Sequence, residues 1–374
     1  MRMNRALDIG RLPLVLALVV GVAVIVSSCS QSTGSQAPTA PAISASPEAS
    51  PEGTEPEPSP TSTPSQNPSP ADSEIIAASL SPLTGLPQEE PASVLVVKLD
   101  NTRNALPHAG LKSADLVYIE EVEYGITRLA AVFSSHVPHR IGPVRSARIT
   151  DIDLLEQYGS PGFAFSGAQR KLWPALNAAP FVDLSANKDA ADYSRDFSRR
   201  APYNYFFDGK VALKNAKGVS TDQDMGFLFE SAMPSGGTYN NAATLQWGYA
   251  SARFVYDPLK RKYAVRLNGE RATAEEEDGL QWADTVVIQQ VKQTQSKYFD
   301  KGGGNTPHAE TIGQGQAIVL RNGFAFPVSW SRPDAKSGTT FTQADGSPMA
   351  FKPGQTWIAL YDASRPVKLK PKSR

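Results

Sequence analysis

The chain has 374 residues, more than one domain of about 100 to 200 usually needs, so two packed domains plus additional segments are expected. Its 37 basic and 37 acidic side chains cancel, and as an average that balance excludes a nucleic-acid binder, whose phosphate contacts require a basic excess. A single cysteine, Cys29, excludes a disulfide scaffold, a thiol redox pair and a Cys-ligated zinc site.

The neutrality is a cancellation between segments. Residues 1–28 carry +2, residues 29–127 carry −10, residues 128–217 carry +5 and residues 218–374 carry +3. At the start, Arg2, Arg5 and Arg11 precede an apolar stretch over 14–26. As a helix it would span about 20 Å, short of a hydrocarbon core of roughly 30 Å and typical of a signal-peptide core. Small residues then lead into Val26-Ser27-Ser28-Cys29, which resembles a bacterial lipobox. Residues 1–28 are therefore expected to be a lipoprotein signal peptide, and acylated Cys29 the membrane anchor of the mature chain.

Residues 29–79 are rich in Pro, Ser, Thr, Glu and Ala and hold no Lys or Arg; the first aromatic residue of the chain is Tyr118. Such a segment buries too little apolar area to offset its ordering entropy, so a disordered tether is predicted. The expected location is the cell membrane, lipid-anchored on the extracytoplasmic face, with the folded part reaching into the wall.

The fold class expected is mixed α+β. Residues 80–225 read as an α/β N-terminal domain. Strand-length apolar runs occupy 94–99, 116–122 and 126–133, helical spacing occupies 149–158 and 169–177, and a short strand at 163–165 ends on Ser166-Gly167. A join over 222–239 contains Pro234 and Ser235-Gly236-Gly237. Residues 240–364 read as a smaller β-rich domain. Its hairpins turn at Asp257-Pro258, Asn322-Gly323 and Asp345-Gly346, a buried strand covers 285–291, and a last strand over 356–361 closes the domain. Residues 365–374, with five basic side chains, read as a frayed basic tail.

Several segments in order carry a resemblance: Pro82-Leu83-Thr84-Gly85, Gly110-Leu111, Ala114-Asp115-Leu116-Val117-Tyr118, Glu123, Gly125-Ile126-Thr127-Arg128, Ile141-Gly142-Pro143-Val144-Arg145-Ser146-Ala147-Arg148, Ser198-Arg199-Arg200-Ala201-Pro202-Tyr203-Asn204 and Gly354-Gln355-Thr356-Trp357. Together they resemble the YerB-like bacterial lipoproteins, a two-domain family of uncharacterised function, over about 82–361. The resemblance implies the architecture and the anchor and supplies no activity, cofactor or catalytic residue. Tyr124 stands where the family often has the first glycine of Glu-Gly-Gly, and Ser166 where Gly-Gly is usual.

Arg145-Ser146-Ala147-Arg148 lies just before a helix start. Two guanidinium forks, a hydroxyl and free N–H groups there make a candidate anion site, which Arg128, Arg199 and Arg200 extend, with Thr127, Glu123 and Asn204 as orienting groups. The alternative is that these arginines pair internally with Asp115, Glu120, Glu121, Glu123 or Asp151. Glu123 with Asp100 or Glu121 is a candidate carboxylate pair for a wall-glycan hydrolase or transferase. Ser166 fails the nucleophile-elbow pattern at Ala164 and Ala168. Four scattered histidines read as exposed loop residues, so no metal site is expected. Gly302-Gly303-Gly304 and Gly313-Gln314-Gly315 read as turns, and no cofactor is expected. Trp247, Trp282, Trp330 and Trp357 read as core more readily than as sugar platforms.

The functional expectation is a membrane-anchored envelope lipoprotein that binds an anionic cell-wall component without turnover. The other classes left open are the carboxylate enzyme and a scaffold for wall-associated proteins.

Overall fold

The structure, a computed structural model, describes residues 79–371 other than Glu277. Cys29, the signal peptide 1–28 and the tether up to residue 78 lie outside the described residues. In chain order the elements used below are β1 Leu95–Asp100, β2 Leu116–Glu121, β3 Thr127–Phe133, α1 Ile149–Glu156, β4 Gly162–Ala164, α2 Trp173–Ala178, β5 Tyr205–Phe207 and α3 Gly209–Asn215. They continue with β6 Ala242–Gln246, β7 Ser251–Asp257, β8 Lys262–Leu267, β9 Thr285–Phe299, β10 Asn305–Glu310, β11 Gly313–Arg321, β12 Phe324–Arg332 and β13 Thr356–Asp362.

β1, β2 and β3 are buried along their whole length because successive side chains enter two different cores. Leu95, Val97 and Leu99 share one core with Val117, Ile119 and Leu129; Val96, Leu116, Tyr118 and Ala130 enter the other. A strand covered on both faces has no solvent-facing side, which is why these segments read as mainly apolar runs rather than as an alternation. The first face is covered mainly by a second sheet, whose β6, β7 and β8 supply Leu245, Phe254, Tyr263 and Val265, with Ala212 of α3 beside them. The second face is covered by Leu154 and Leu155 of α1, Leu176 of α2 and Phe351.

The large sheet has twelve strands, running Thr238–Tyr239, β12, β11, β9, β13, β2, β3, β1, β4 and Val182–Asp183, with β10 and Thr340–Gln343 attached at the side. β13 pairs in parallel with β9 on one side and with β2 on the other. The strand expected to close the C-terminal region thus enters the middle of a sheet shared by both halves, which lie within one compact unit. Periodicity marks a strand and its buried faces but carries no information on its neighbours.

The fold class is corrected accordingly. Strand outweighs helix, 43% against 12%, so the protein is mostly β. The helical spacing in the N-terminal half is real, but α1, α2 and α3 span only 8, 6 and 7 residues. The tail is also more ordered than expected: Lys368–Lys370 runs antiparallel to β6. Val367 packs against the first core, and alternation then turns the lysines outward along an edge strand, where charge discourages further pairing.

The turn chemistry held. β11 and β12 meet at Asn322 and Gly323 with φ of 52° and 81°, the left-handed pair that a two-residue hairpin requires. Gly313–Gly315, expected as a turn, instead begins β11. A Cβ on Gly315 would lie 2.6 Å from Trp330 Nε1, so the glycine makes room for the indole packed across the strand pair. Among the described residues no helix is long and apolar enough to cross a membrane.

Candidate functional site

The loop from Gly142 to Arg148 delivers its arginines to the ends of β1 and β2. Arg145 Nε lies 2.7 Å from Asp100 Oδ2, while Asp100 Oδ1 accepts the Thr102 N–H at 2.7 Å. Arg148 holds Glu123 by one hydrogen bond from Nη2 at 2.8 Å and an ion-pair contact of Nε at 2.7 Å, and the Thr306 hydroxyl donates to the same carboxylate. Arg128 is buried and donates to the Ser146 carbonyl. Burial first, and then the charges of Arg148 and Arg145, push its pKa down to about 9. The Thr127 hydroxyl accepts from Asn101 Nδ2 at 2.8 Å.

The anion at the start of α1 is the chain's own. Asp151 accepts the Arg148 N–H at 2.6 Å and is held by Lys98 Nζ at 2.6 Å. Of the carboxylates expected as internal partners, Glu123 takes Arg148, Glu121 takes a two-pronged bond from Arg365 at 2.7 and 2.9 Å, and Asp115 accepts the Ser134 and Ser135 N–H groups. Arg145 and Arg148 are therefore engaged by carboxylates of the chain itself and Arg128 by a backbone carbonyl; of the expected internal pairs only Arg148–Glu123 forms among the described residues, Arg145 taking Asp100 instead.

Behind them lies a group that sequence reasoning missed. Lys98 Nζ sits 2.7 Å from Glu120 and 2.6 Å from Asp151, and all three side chains are essentially inaccessible. Two carboxylates share one ammonium, so burial, reinforced by the Asp151 charge and opposed by Lys98, drives the Glu120 pKa upward. The available signal was a lysine inside the apolar run of β1, which has to bring its own partner.

The carboxylate-enzyme reading loses its acid. Burial alone would raise the Glu123 pKa, but the Arg148 bond, its charge and the Thr306 bond outweigh it and hold the carboxyl low. A general acid needs the opposite shift. Asp100 and Glu121 are each tied to an arginine as well.

Arg199, Arg200 and Asn204 lie on a separate loop. Arg199 donates to the carbonyls of Ala105 at 2.7 Å and Pro107 at 3.0 Å, and to Glu275 at 3.3 Å, pinning the segment after β1. Asn204 is buried, its Oδ1 accepting from Arg195 at 3.1 Å. Arg200 is exposed and, among the described residues, makes no ion pair. It opens onto a hollow of about 460 Å³ with Asn104, Arg199 and Tyr203. Through Asn104 this hollow adjoins a second, of about 430 Å³, lined by Asn101, Gln246, Tyr249 and Asn268 among others. Tyr249, 82% exposed, stands at its mouth.

The floor is fixed by a close crossing of two turns. Gly125 has φ of +64° and a Cβ there would meet Gly248 N at 2.6 Å, while the Tyr249 N–H donates to the Gly125 carbonyl at 2.8 Å. Tyr124, with φ of +61°, accepts a conformation that favours glycine, and its hydroxyl bonds Asp300 and the Gly304 N–H, each at 2.9 Å. The expected family glycine and the observed tyrosine are thus both intelligible.

The histidines correct one expectation. His108 is fully buried with Nε2 2.7 Å from the Asp100 carbonyl, and His308 pairs with Asp153 at 2.8 Å. Among the described residues no three His, Cys, Asp or Glu side chains are placed to hold a metal ion. Trp247, Trp330 and Trp357 are core; Trp282 is partly exposed.

Residues 83–222 match the N-terminal domain, and residues 243–358 the C-terminal domain, of a family described as "Protein of unknown function (DUF3048)". The chain belongs to the DUF3048 family. A Bacillus subtilis (strain 168) protein described as "Putative lipoprotein YerB" is 27% identical over 296 residues, covering 75% of this chain and 85% of the relative. The crystal structure of the YerB protein from Bacillus subtilis shares the fold, with a TM-score of 0.64 at 22% identity over 78% of this chain and 99% of that one. The paired hollows draw on both DUF3048 segments: Asn101, Asn104 and Arg200 come from the N-terminal match, Gln246, Tyr249 and Asn268 from the C-terminal one.

Proposed function

We propose that this DUF3048 protein is a lipid-anchored lipoprotein on the extracytoplasmic face of the cell membrane, whose folded part binds an anionic cell-wall component without turning it over. The anchor reading rests on the lipobox-like Val26-Ser27-Ser28-Cys29 after a basic, apolar leader, and on a relative described as a putative lipoprotein. The carrying observation for binding is Arg200, an exposed guanidinium without an ion pair among the described residues, set in a hollow of amide and tyrosine side chains. Such a surface offers a fork for a carboxylate or phosphate and hydrogen-bonding amides for hydroxyls. Arg128, Arg145 and Arg148 serve this site from behind, by holding the 142–148 loop against Asp100 and Glu123.

The test is co-sedimentation of the mature chain, made soluble by Cys29→Ser, with purified wall material before and after removal of its anionic polymer. Retention on intact wall, its loss on stripped wall, and a drop of about tenfold to a hundredfold for Arg200→Glu are expected from the worth of a charge-assisted bond. Equal retention of Arg200→Glu would sink the reading.

A further inference from the structure

The second sheet carries a hollow of about 360 Å³ that shares no residue with the Arg200 site. The turn between β7 and β8 brings Lys260 and Lys262 to its rim, and Asp257 fixes that turn by accepting the Leu259 and Lys260 N–H groups at 2.9 and 3.1 Å. Trp282, in register with Ala264 of β8, forms a wall, with Lys260 Nζ 5.2 Å from its ring centroid. Lys112, paired with Asp278, closes another side.

Two features make this a built site rather than a groove between surface lysines. The first is charge. Asp284 is shared by Lys262 at 3.0 Å and Lys352 at 2.7 Å, one carboxylate for two ammonium groups, and Lys260 makes no ion pair among the described residues, although its charge reaches Asp278. The second is Gln281. Its side chain lines the hollow yet is 1% exposed, and neither Oε1 nor Nε2 has a protein partner. Its backbone is locked on both sides, the N–H donating to Ala272 at 2.9 Å and the carbonyl accepting from Val265 at 3.2 Å. A buried carboxamide left unpaired is costly and calls for an occupant that supplies its bonds.

We propose that this hollow binds one anionic sugar unit, a hexose-sized ring bearing a phosphate or carboxylate. The ring lies against Trp282, the anion sits between the Lys260 and Lys262 ammonium groups, and Gln281 takes a ring hydroxyl as Lys260 turns from the indole toward the anion. An indole wall, lysine ammonium groups and an unpaired buried amide are together in neither of the hollows beside Arg200.

Titration calorimetry on the Cys29→Ser chain tests this with four probes: glucose 6-phosphate, glucuronate, glucose and inorganic phosphate. At least one anionic sugar should bind about tenfold or more tightly than either glucose or inorganic phosphate, and Trp282→Ala and the Lys260→Ala/Lys262→Ala pair should each weaken it by about tenfold or more. Gln281→Leu should weaken binding while leaving the melting temperature unchanged or higher, which a merely structural glutamine would not do. Failure of both anionic sugars to bind at about 10 mM overturns the proposal, as does equal affinity for glucose or for phosphate alone. Competition by purified wall polymer would identify a polymer repeat as the source of the sugar, and its absence a free sugar; the proposal predicts tight anionic-sugar binding in both cases. Arg200→Glu should leave sugar binding intact, so this proposal and the wall-binding reading stand or fall separately.

Discussion

Replacing Arg148 by alanine asks directly whether the arginine motif serves the fold or a ligand. The Arg148 and Glu123 side chains are 10% and 4% exposed and joined by a hydrogen bond of 2.8 Å and an ion-pair contact of 2.7 Å. Removing one partner of such a buried pair leaves an uncompensated charge and costs about 3–5 kcal/mol. Thr306 still donates to the carboxylate, which places the expected loss nearer 3 than 5 kcal/mol. Adding Glu123→Gln removes the stranded charge and should recover about 1–2 kcal/mol. Urea unfolding at constant m-value measures both numbers. The pH dependence gives a second reading. Because Glu123 is held below its ordinary range in the fold, its contribution is fully present above its unfolded pKa and is lost as pH falls through the folded one. The gap between wild type and Arg148→Ala should therefore narrow as the solution is acidified. A variant that lost less than about 1 kcal/mol, kept that value at low pH and no longer bound wall material would refute the pairing argument and restore the arginines to a ligand.

Glu120→Gln should flatten the decline in stability as pH rises from about 4.5 toward 7, since a carboxyl raised by burial holds its proton in the fold and releases it in the unfolded chain; melting temperature against pH reads this. Asp115, raised to about 6 by burial, contributes to the same slope, so Asp115→Asn should remove a further part. Gly125→Ala should cost at least about 1–2 kcal/mol from its left-handed backbone alone, with the collision at Gly248 adding to it, whereas Gly167→Ala meets no atom within 4 Å and should cost only the backbone part. Cys29→Ser should release the protein from membranes and abolish palmitate labelling in cells.

The residues that were legible in the sequence are those whose cause is local. Asn322-Gly323 names its turn because only a left-handed pair closes a two-residue hairpin, and the 94–99 run names a strand because both faces are covered. Partners across the fold were not legible. Arg199 and Glu275 are 76 residues apart, Arg365 and Glu121 are 244 apart, and nothing in either neighbourhood pairs them. The arginine motif was visible, and its fate was set by Asp100 and Glu123 at strand ends whose placement depends on the whole sheet. The lysine and tryptophan hollow was missed because Lys260, Lys262 and Trp282 each have an ordinary explanation alone, and only the β8 register brings them together.

The position of β13 fixes when this protein can finish folding. It is the fifth strand in from the Thr238–Tyr239 end of the sheet and almost the last to be made, yet it separates β9 from β2 by pairing with both. A chain emerging from its N-terminus can form the antiparallel β1–β3–β2 ladder early, but β2 and β9 each keep an open edge until residues 356–362 arrive. Completion is thus postponed to the end of synthesis. Loss of even a short C-terminal piece that includes β13 would yield two sticky half-sheets rather than a slightly smaller protein.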